Sequence, residues 1–291
     1  MAVIVAGITW AAGGLFVRNL QACGLQGMTI ALLRLSIAWA IFTICLIPAW
    51  KELFKVSRRD LLFLLLLGII GPAGSQPLFI QSVTLTTVAV ATILNYTAPF
   101  FVIILSRIFF NEAVTLRKAT ALALSVAGLV LITGVYKVKV VVSMPALLTG
   151  LGSGALYGTY TFMLRKIANS YNPLVIQWWS SLFGLPLLTL YAFPSLPRPF
   201  VLPPQAWASA LALAAGPGVF AFILFTWALR RIHASHVAIM ANIEPAAATI
   251  FSAWVLGEEV SFTQMAGIAL VLIGIIIVSS ARAPATSQAT A

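Results

Sequence analysis

Apolar runs close to the roughly 20 residues that cross a bilayer as a helix recur along this chain of 291 residues and leave it few folds. They fall at about 2–18, 28–50, 60–80, 86–109, 116–136, 145–166, 173–194, 205–229, 234–256 and 263–280. In hydrocarbon only helices and closed barrels satisfy their own backbone polar groups, and continuous runs, not ten-residue alternation, select helices. With 61% hydrophobic and 8% charged residues, a soluble fold would have a core without a polar shell. The expected class is therefore an all-α integral membrane protein of ten transmembrane helices. The first run begins almost at Met1 without a basic segment or a small-residue cleavage site, which reads as a retained helix and not a cleaved signal. The tail 282–291, rich in Ala, Thr and Ser, reads as disordered.

The chain is also written twice. Pro99 matches Pro245, Glu112 matches Glu258, Val114 matches Val260 and Gly128 matches Gly274, each at an offset of 146. Gly71-Pro72 against Gly216-Pro217, and Arg18 against Arg165, need a slip of one residue, as loops of unequal length would give. Shared proline, acid and glycine in one order are harder to obtain by chance than shared Ile and Leu. Residues 1–140 and 141–281 are thus expected to be two five-helix repeats. Five is odd, so the second repeat enters the membrane upside down, and inverted halves can exchange conformations around a site near the midplane.

Charge sets the expected orientation. On the side of the N-terminus lie Lys51, Lys55, Arg58, Arg59, Arg107, Arg117, Lys118, Arg165, Lys166, Arg230, Arg231 and Arg282. The other side has Arg18, Lys137, Lys139 and Arg198. This bias places both termini in the cytoplasm and accounts for most of the net charge of +11; no basic stripe interleaved with aromatics argues for nucleic acid. Cys23 falls in an outer loop and Cys45 near the inner end of the second run, too far apart to pair or to make a metal site.

Several segments together carry a family resemblance. They are Thr9-Trp10-Ala11-Ala12-Gly13 with Phe16-Val17, Arg34 in the second run, Pro99 with Asn111-Glu112, Glu244-Pro245 with Gly257-Glu258, and the stretch from Ser153 to Arg165. In this order they resemble the drug/metabolite transporter superfamily, EamA type, over essentially the whole chain. The resemblance implies a ten-helix secondary transporter, commonly an exporter of amino acids or other small metabolites. Export, as against uptake, rests on the resemblance alone. One position departs from the pattern: Asn111 stands where its repeat mate is Gly257.

Chemistry inside the membrane is where function should show, because a polar group there is costly unless paired or wet. Glu244 lies about 15 Å into its span at 1.5 Å per residue, beside Pro245, which cannot donate to the carbonyl of Ala241. It reads either as a proton-titrating or amine-binding carboxylate, or as an acid capped by Arg34 or by local donors that holds a bend. Arg34, about 10 Å below the outer surface, reads as structural. Asn95 and Tyr96 before Pro99, and Asn242 before Glu244, offer donors and acceptors at two broken helices, either to a solute or to neighbouring helices. Trp10, Gln76, Phe79, Tyr157 and Tyr160 complete the expected substrate-binding set. Expected hinges are Gly71, Pro72, Gly74, Gly216, Pro217 and Gly218, with Pro99 and Pro245; close packing through small residues is the alternative. Trp178 and Trp179 read as an interfacial belt.

No G-x-x-x-x-G-K-[ST], HExxH or GxSxG occurs, so neither ATP-driven transport nor a membrane hydrolase is indicated, and His233 with His236 make at most an incomplete metal site. No cofactor and no metal are expected. The expected function is alternating-access secondary transport across the inner membrane, exporting amino acids, aromatic or apolar ones included, or similar small metabolites. The partners are a small-molecule substrate, the lipid bilayer and protons as coupling ion, for a chain acting as a monomer. Uptake, or carriage of drugs or other metabolites on the same fold, is the alternative. An intramembrane enzyme would need a nucleophile with a nearby base, and the spans hold a single carboxylate and no midplane histidine.

Overall fold

The computed structural model describes residues 1–137, 142–196 and 202–280. Lys139, Arg198 and Arg282 of the orientation count, and the tail 282–291, lie outside these. The described chain is helical throughout, without strands. In order come α1 (Ala2–Ala22), α2 (Gly27–Leu46, prolonged by the tighter turn Ile47–Lys55), α3 (Arg58–Ile70), α4 (Gln76–Leu85), α5 (Val88–Asn95), α6 (Ala98–Phe110) and α7 (Leu116–Thr133). Then follow α8 (Met144–Ile167), α9 (Pro173–Ala192), α10 (Pro204–Leu213), α11 (Ala221–Leu229), α12 (Ala234–Met240), α13 (Ile243–Leu256) and α14 (Phe262–Ser279). Several are paired end to end into one rod. A π-helical turn, Gly71–Ser75, joins α3 to α4, and another, Ala214–Phe220, joins α10 to α11.

Among the described residues, nine helical segments are both long and apolar enough to cross a membrane, which makes this a multi-pass membrane protein. The helix α8, also expected to be a span, has the length, about 36 Å for its 24 residues. It is not among the nine. Ser153, Thr159, Thr161 and two tyrosines make it one of the more polar helices of the chain, suited to face other protein and not lipid.

Local chemistry fixes the ends. Ser57, Thr87, Thr115 and Ser143 each accept a hydrogen bond from a backbone N–H of the first turn that follows, and Ser261 with Gln264 forms a reciprocal capping box. Left-handed residues close α6 and α13: Asn111 at φ 51° and Gly257 at φ 67°. Asparagine is the side chain that best tolerates this conformation, which explains how the chain departs from glycine there without altering the turn. After each, the N–H of Glu112 reaches Ser106 O and that of Glu258 reaches Ser252 O.

The two halves of the chain pack into each other. Helix α1 lies against α10, α11 and α13, α2 and α3 against α9, α4 to α6 against α8, and α7 against α14. The α7–α14 crossing depends on bare backbone: a Cβ on Gly128 would sit 2.5 Å from Gly267 O, and one on Gly267 2.6 Å from Gly128 O. Lipid gives no hydrophobic drive for helices to associate, so such close approach supplies dispersion contacts instead. Trp178 and Trp179 correct the expectation of an interfacial belt. Trp178 is buried and donates to Thr43 Oγ1 at 2.8 Å, and Trp179 donates to Leu53 O at 3.2 Å, so both rings pack α9 onto the α2 rod.

A second lock joins the α6–α7 loop to α12. Glu112 and Lys118 are both buried and 3.3 Å apart, the Ser235 hydroxyl donates to Glu112, and His233 Nδ1 lies 3.4 Å from the same carboxylate. Burial alone would raise the Glu112 carboxyl, but the bond from Ser235 and the charges of Lys118 and His233 outweigh it and hold it below the usual carboxylate range. A depressed folded value means that this contribution is complete above the ordinary carboxylate range and is lost as pH falls through the folded value. Glu112→Gln leaves Lys118 buried without its counter-ion and is expected to cost about 3–5 kcal/mol. Adding Lys118→Met should recover most of that in chemical unfolding of detergent-solubilised protein. A double variant no more stable than the single one would show that the pair is not the source.

Candidate functional site

A central space inside the bundle lies where the two halves meet. Arg34, Ala38 and Phe42 of α2 line it, with Gly71, Pro72, Ser75 and Gln76 around the first π-turn. The second half contributes Tyr157 and Tyr160 of α8, Gln177 and Ser181 of α9, and Gly218 and Phe222 at the second π-turn. The π-turns arise because Pro72 and Pro217 withhold an N–H from the helical ladder and shift its register by one residue. They bring both glycine-proline segments to the cavity wall.

Its walls are aromatic and amide. Tyr157 stacks on Tyr160 with ring centroids 6.4 Å apart, and Phe222 meets Tyr160 edge-on at the same separation. Gln177 holds the Tyr160 hydroxyl at 3.3 Å and donates to Thr226 Oγ1 at 3.0 Å, so Tyr160 is fixed from behind. Gln76 and Arg34 make no hydrogen bond or ion pair among the described residues, and both face the space.

Beside this wall stands the pair of helix breaks. The α5–α6 break falls at Tyr96-Thr97, and the α12–α13 break at Ala241-Asn242. Glu244 follows the second break and is half-buried. The Tyr96 hydroxyl is a local hydrogen-bond donor to its carboxylate, the Arg34 guanidinium acts on it through its field, and Tyr157 lies within reach of both Glu244 and Arg34. No ion pair joins Glu244 to Arg34, so any cap on this acid comes from local donors such as Tyr96 and not from the arginine. Nor is the Ala241 carbonyl left open by Pro245, because the Glu244 N–H turns to it at 3.1 Å.

The cavity therefore gathers Gln76, Tyr157 and Tyr160 directly, with Tyr96 and Glu244 adjoining through Tyr157 and Arg34. The remaining expected residues do other things. Trp10 donates to Pro217 O at 3.0 Å and packs on Phe222 and Phe225, behind the second π-turn. Asn95 accepts from Ser153 Oγ at 3.1 Å, bonding α5 to α8. Asn242 is buried, with its Nδ2 unpartnered among the described residues, and Phe79 is not part of the wall. Sequence reasoning did not select Gln177 and Ser181. Their spacing of four, polar on one face of an apolar helix, was the available signal.

A family model described as the EamA-like transporter family matches this chain twice, over residues 1–134 and 144–280. An uncharacterized transporter of Archaeoglobus fulgidus is 26% identical over 95% of this chain and 94% of its own. A protein of Streptantibioticus cattleyicolor named a probable terminal-alkyne amino-acid exporter is 25% identical over 96% and 92%. The uncharacterized inner membrane transporter YicL of Salmonella typhimurium is 22% identical over 95% and 93%. A protein crystal structure superposes with a TM-score of 0.82 at 18% identity, covering 96% of this chain and 97% of the other, so the fold is shared.

The glycines at the two π-turns differ in the room around them. A Cβ on Gly71 would enter the Tyr160 ring, and one on Gly74 would sit 2.8 Å from Ile69 O, whereas one on Gly216 meets nothing nearer than Thr9 Cγ2 at 3.6 Å. Gly71→Ala is expected to cost about 1–3 kcal/mol by overpacking, and Gly216→Ala to be neutral or stabilising by about 0.5 kcal/mol. Thermal midpoints in detergent check this. Equal losses at both positions would contradict it.

Proposed function

This chain belongs to the EamA-like transporter family, and we propose that it is a secondary active transporter that exports amino acids or similar small metabolites by alternating access. The observation that carries the reading is the central space at the meeting of two halves, walled by aromatic rings, amides and Arg34, with Glu244 adjoining it. Each half contributes a π-turn to it and has a broken helix beside it, which is the build expected of inverted repeats about a midplane site. A relative named as an amino-acid exporter supports the substrate class. An amino acid presents an ammonium suited to Glu244 and a side chain suited to Tyr157, Tyr160 and Phe222.

In this reading Glu244 exchanges its proton against substrate, and the second π-turn bends at Gly216 and Gly218 while the first, packed on Tyr160, carries the bend at Pro72. Both termini lie in the cytoplasm and the protein sits in the inner membrane, the compartment named for one relative. Flux into proteoliposomes, screened with amino acids and with cationic drugs, tests the function. Accumulation of drugs but not of amino acids would replace the substrate class and keep the fold.

Glu244→Gln keeps the shape of the side chain and removes its charge, so folded yield should hold while flux falls about tenfold or more and its pH dependence flattens. Unchanged flux and pH profile in a folded variant would sink the role given to this carboxylate. For orientation, a membrane-impermeant maleimide added to intact cells should label Cys23 and spare Cys45. Labelling of Cys45 alone would reverse the topology.

A further inference from the structure

Arg34 is the one arginine that meets the interior of the bundle without a partner among the described residues. Arg165 bonds Leu229 O, Arg230 bonds the carbonyls of Ala168 and Tyr171, and Arg18 pairs with Glu258. Arg34 has neither hydrogen bond nor ion pair, although its place in α2 is about 10 Å from the start of the helix. A guanidinium stays charged at any physiological pH and carries five donors in a planar fork. Left alone in the membrane it is costly, and intramembrane charges of this kind mark ligand sites. Arg34 lines the central cavity, as does Gln76, whose amide likewise has no hydrogen-bond partner among the described residues. The stem of Arg34 lies along the second π-turn, 3.5 Å from where a Cβ on Gly218 would be.

We propose that Arg34 is the anion receptor of the central cavity and binds the carboxylate of the substrate in a forked, charge-assisted contact, with Gln76 beside it. The inference rests on the transport reading given above and makes the substrate class narrower: zwitterions or monoanions with a carboxylate, not simple amines. Glu244 is too far from Arg34 to pair with it directly and close enough to feel its field. In this proposal a zwitterion gives its acid to Arg34 and its amine to the side of the cavity that Glu244 adjoins. Either charge alone leaves the other uncompensated.

Equilibrium binding to the purified full-length protein separates the possibilities with four probes of one shape: L-phenylalanine, L-phenylalaninamide, 3-phenylpropionate and 2-phenylethylamine. Wild type should prefer phenylalanine to its amide by on the order of tenfold to a hundredfold, the range of a hydrogen bond between charged groups. Arg34→Gln should abolish that preference while leaving the amide's affinity within about threefold, and Arg34→Lys, which keeps the charge without the fork, should retain part of it. Should Arg34→Gln not fold, a reduced preference in Arg34→Lys carries the test. Full preference in either variant, equal binding of acid and amide by wild type, or no binding of any carboxylate overturns the proposal. Binding of 3-phenylpropionate but not phenylalanine upholds Arg34 and overturns the amino-acid reading, whereas equal binding of phenylalanine and its amide does the reverse.

Discussion

Hydrocarbon offers a backbone no hydrogen-bond partner, and from that single restriction the placement of every irregular segment in this protein can be understood. Helices α3–α4, α5–α6, α10–α11 and α12–α13 are interrupted within membrane-spanning stretches. None of the interruptions leaves its groups to lipid. The Thr97 hydroxyl and N–H turn back to Leu94 O, the Glu244 N–H turns to Ala241 O, and the Trp10 indole covers Pro217 O. Ser75, at the end of the first π-turn, donates across to Ser153 O. Because the breaks must be covered by protein, they lie where helices from both halves converge, and the two π-turns among them line the cavity. The site is where it is because irregular backbone is tolerated nowhere else.

The same restriction explains the reliance on glycine. Gly154 and Gly158 of α8 let that helix ride directly on the carbonyls of the α5–α6 break, where added Cβ atoms would sit 2.8 Å from Leu94 O and 2.7 Å from Ala98 O. A helix able to pack this closely must give up apolar side chains on that face. Hence α8 is less apolar than the spans around it, and its polar residues, Tyr157 and Tyr160 among them, are available to the cavity.

How much of this was legible in the sequence depends on whether the deciding physics was local. Apolar runs marked the helices to within a few residues because lipid imposes length and hydropathy on each span separately. Gly-Pro pairs located the π-turns for the same reason. What sequence could not supply was direction across the bundle. Asn95 and Trp10 had the chemistry of ligand-binding groups, but their rotation about their helices turns them to Ser153 and to Pro217. Trp178 and Trp179 had the composition of a belt but turn inward, donating to Thr43 and to the Leu53 carbonyl. For Arg34, which reads as structural if a partner is assumed, only the three-dimensional arrangement shows that Glu244 is not at pairing distance.

The matched acids Glu112 and Glu258 carry the comparison of the halves one step further. Both follow a left-handed helix end and have the same backbone hydrogen bond, yet their surroundings differ. Glu112 is sealed among Lys118, Ser235 and His233, whereas Glu258 makes one exposed ion pair with Arg18. An exposed pair contributes about 0–1 kcal/mol, whereas a buried charge left without its partner costs about 3–5 kcal/mol. Arg18 and Arg165 are themselves matched positions, and Arg165 lies within electrostatic reach of Glu112. One end of the molecule is therefore bound tightly and the other loosely by equivalent residues. Under the alternating-access reading, that asymmetry is what a single state requires: the strongly bound end is closed, and the end held by a solvent-screened pair is the one that can open.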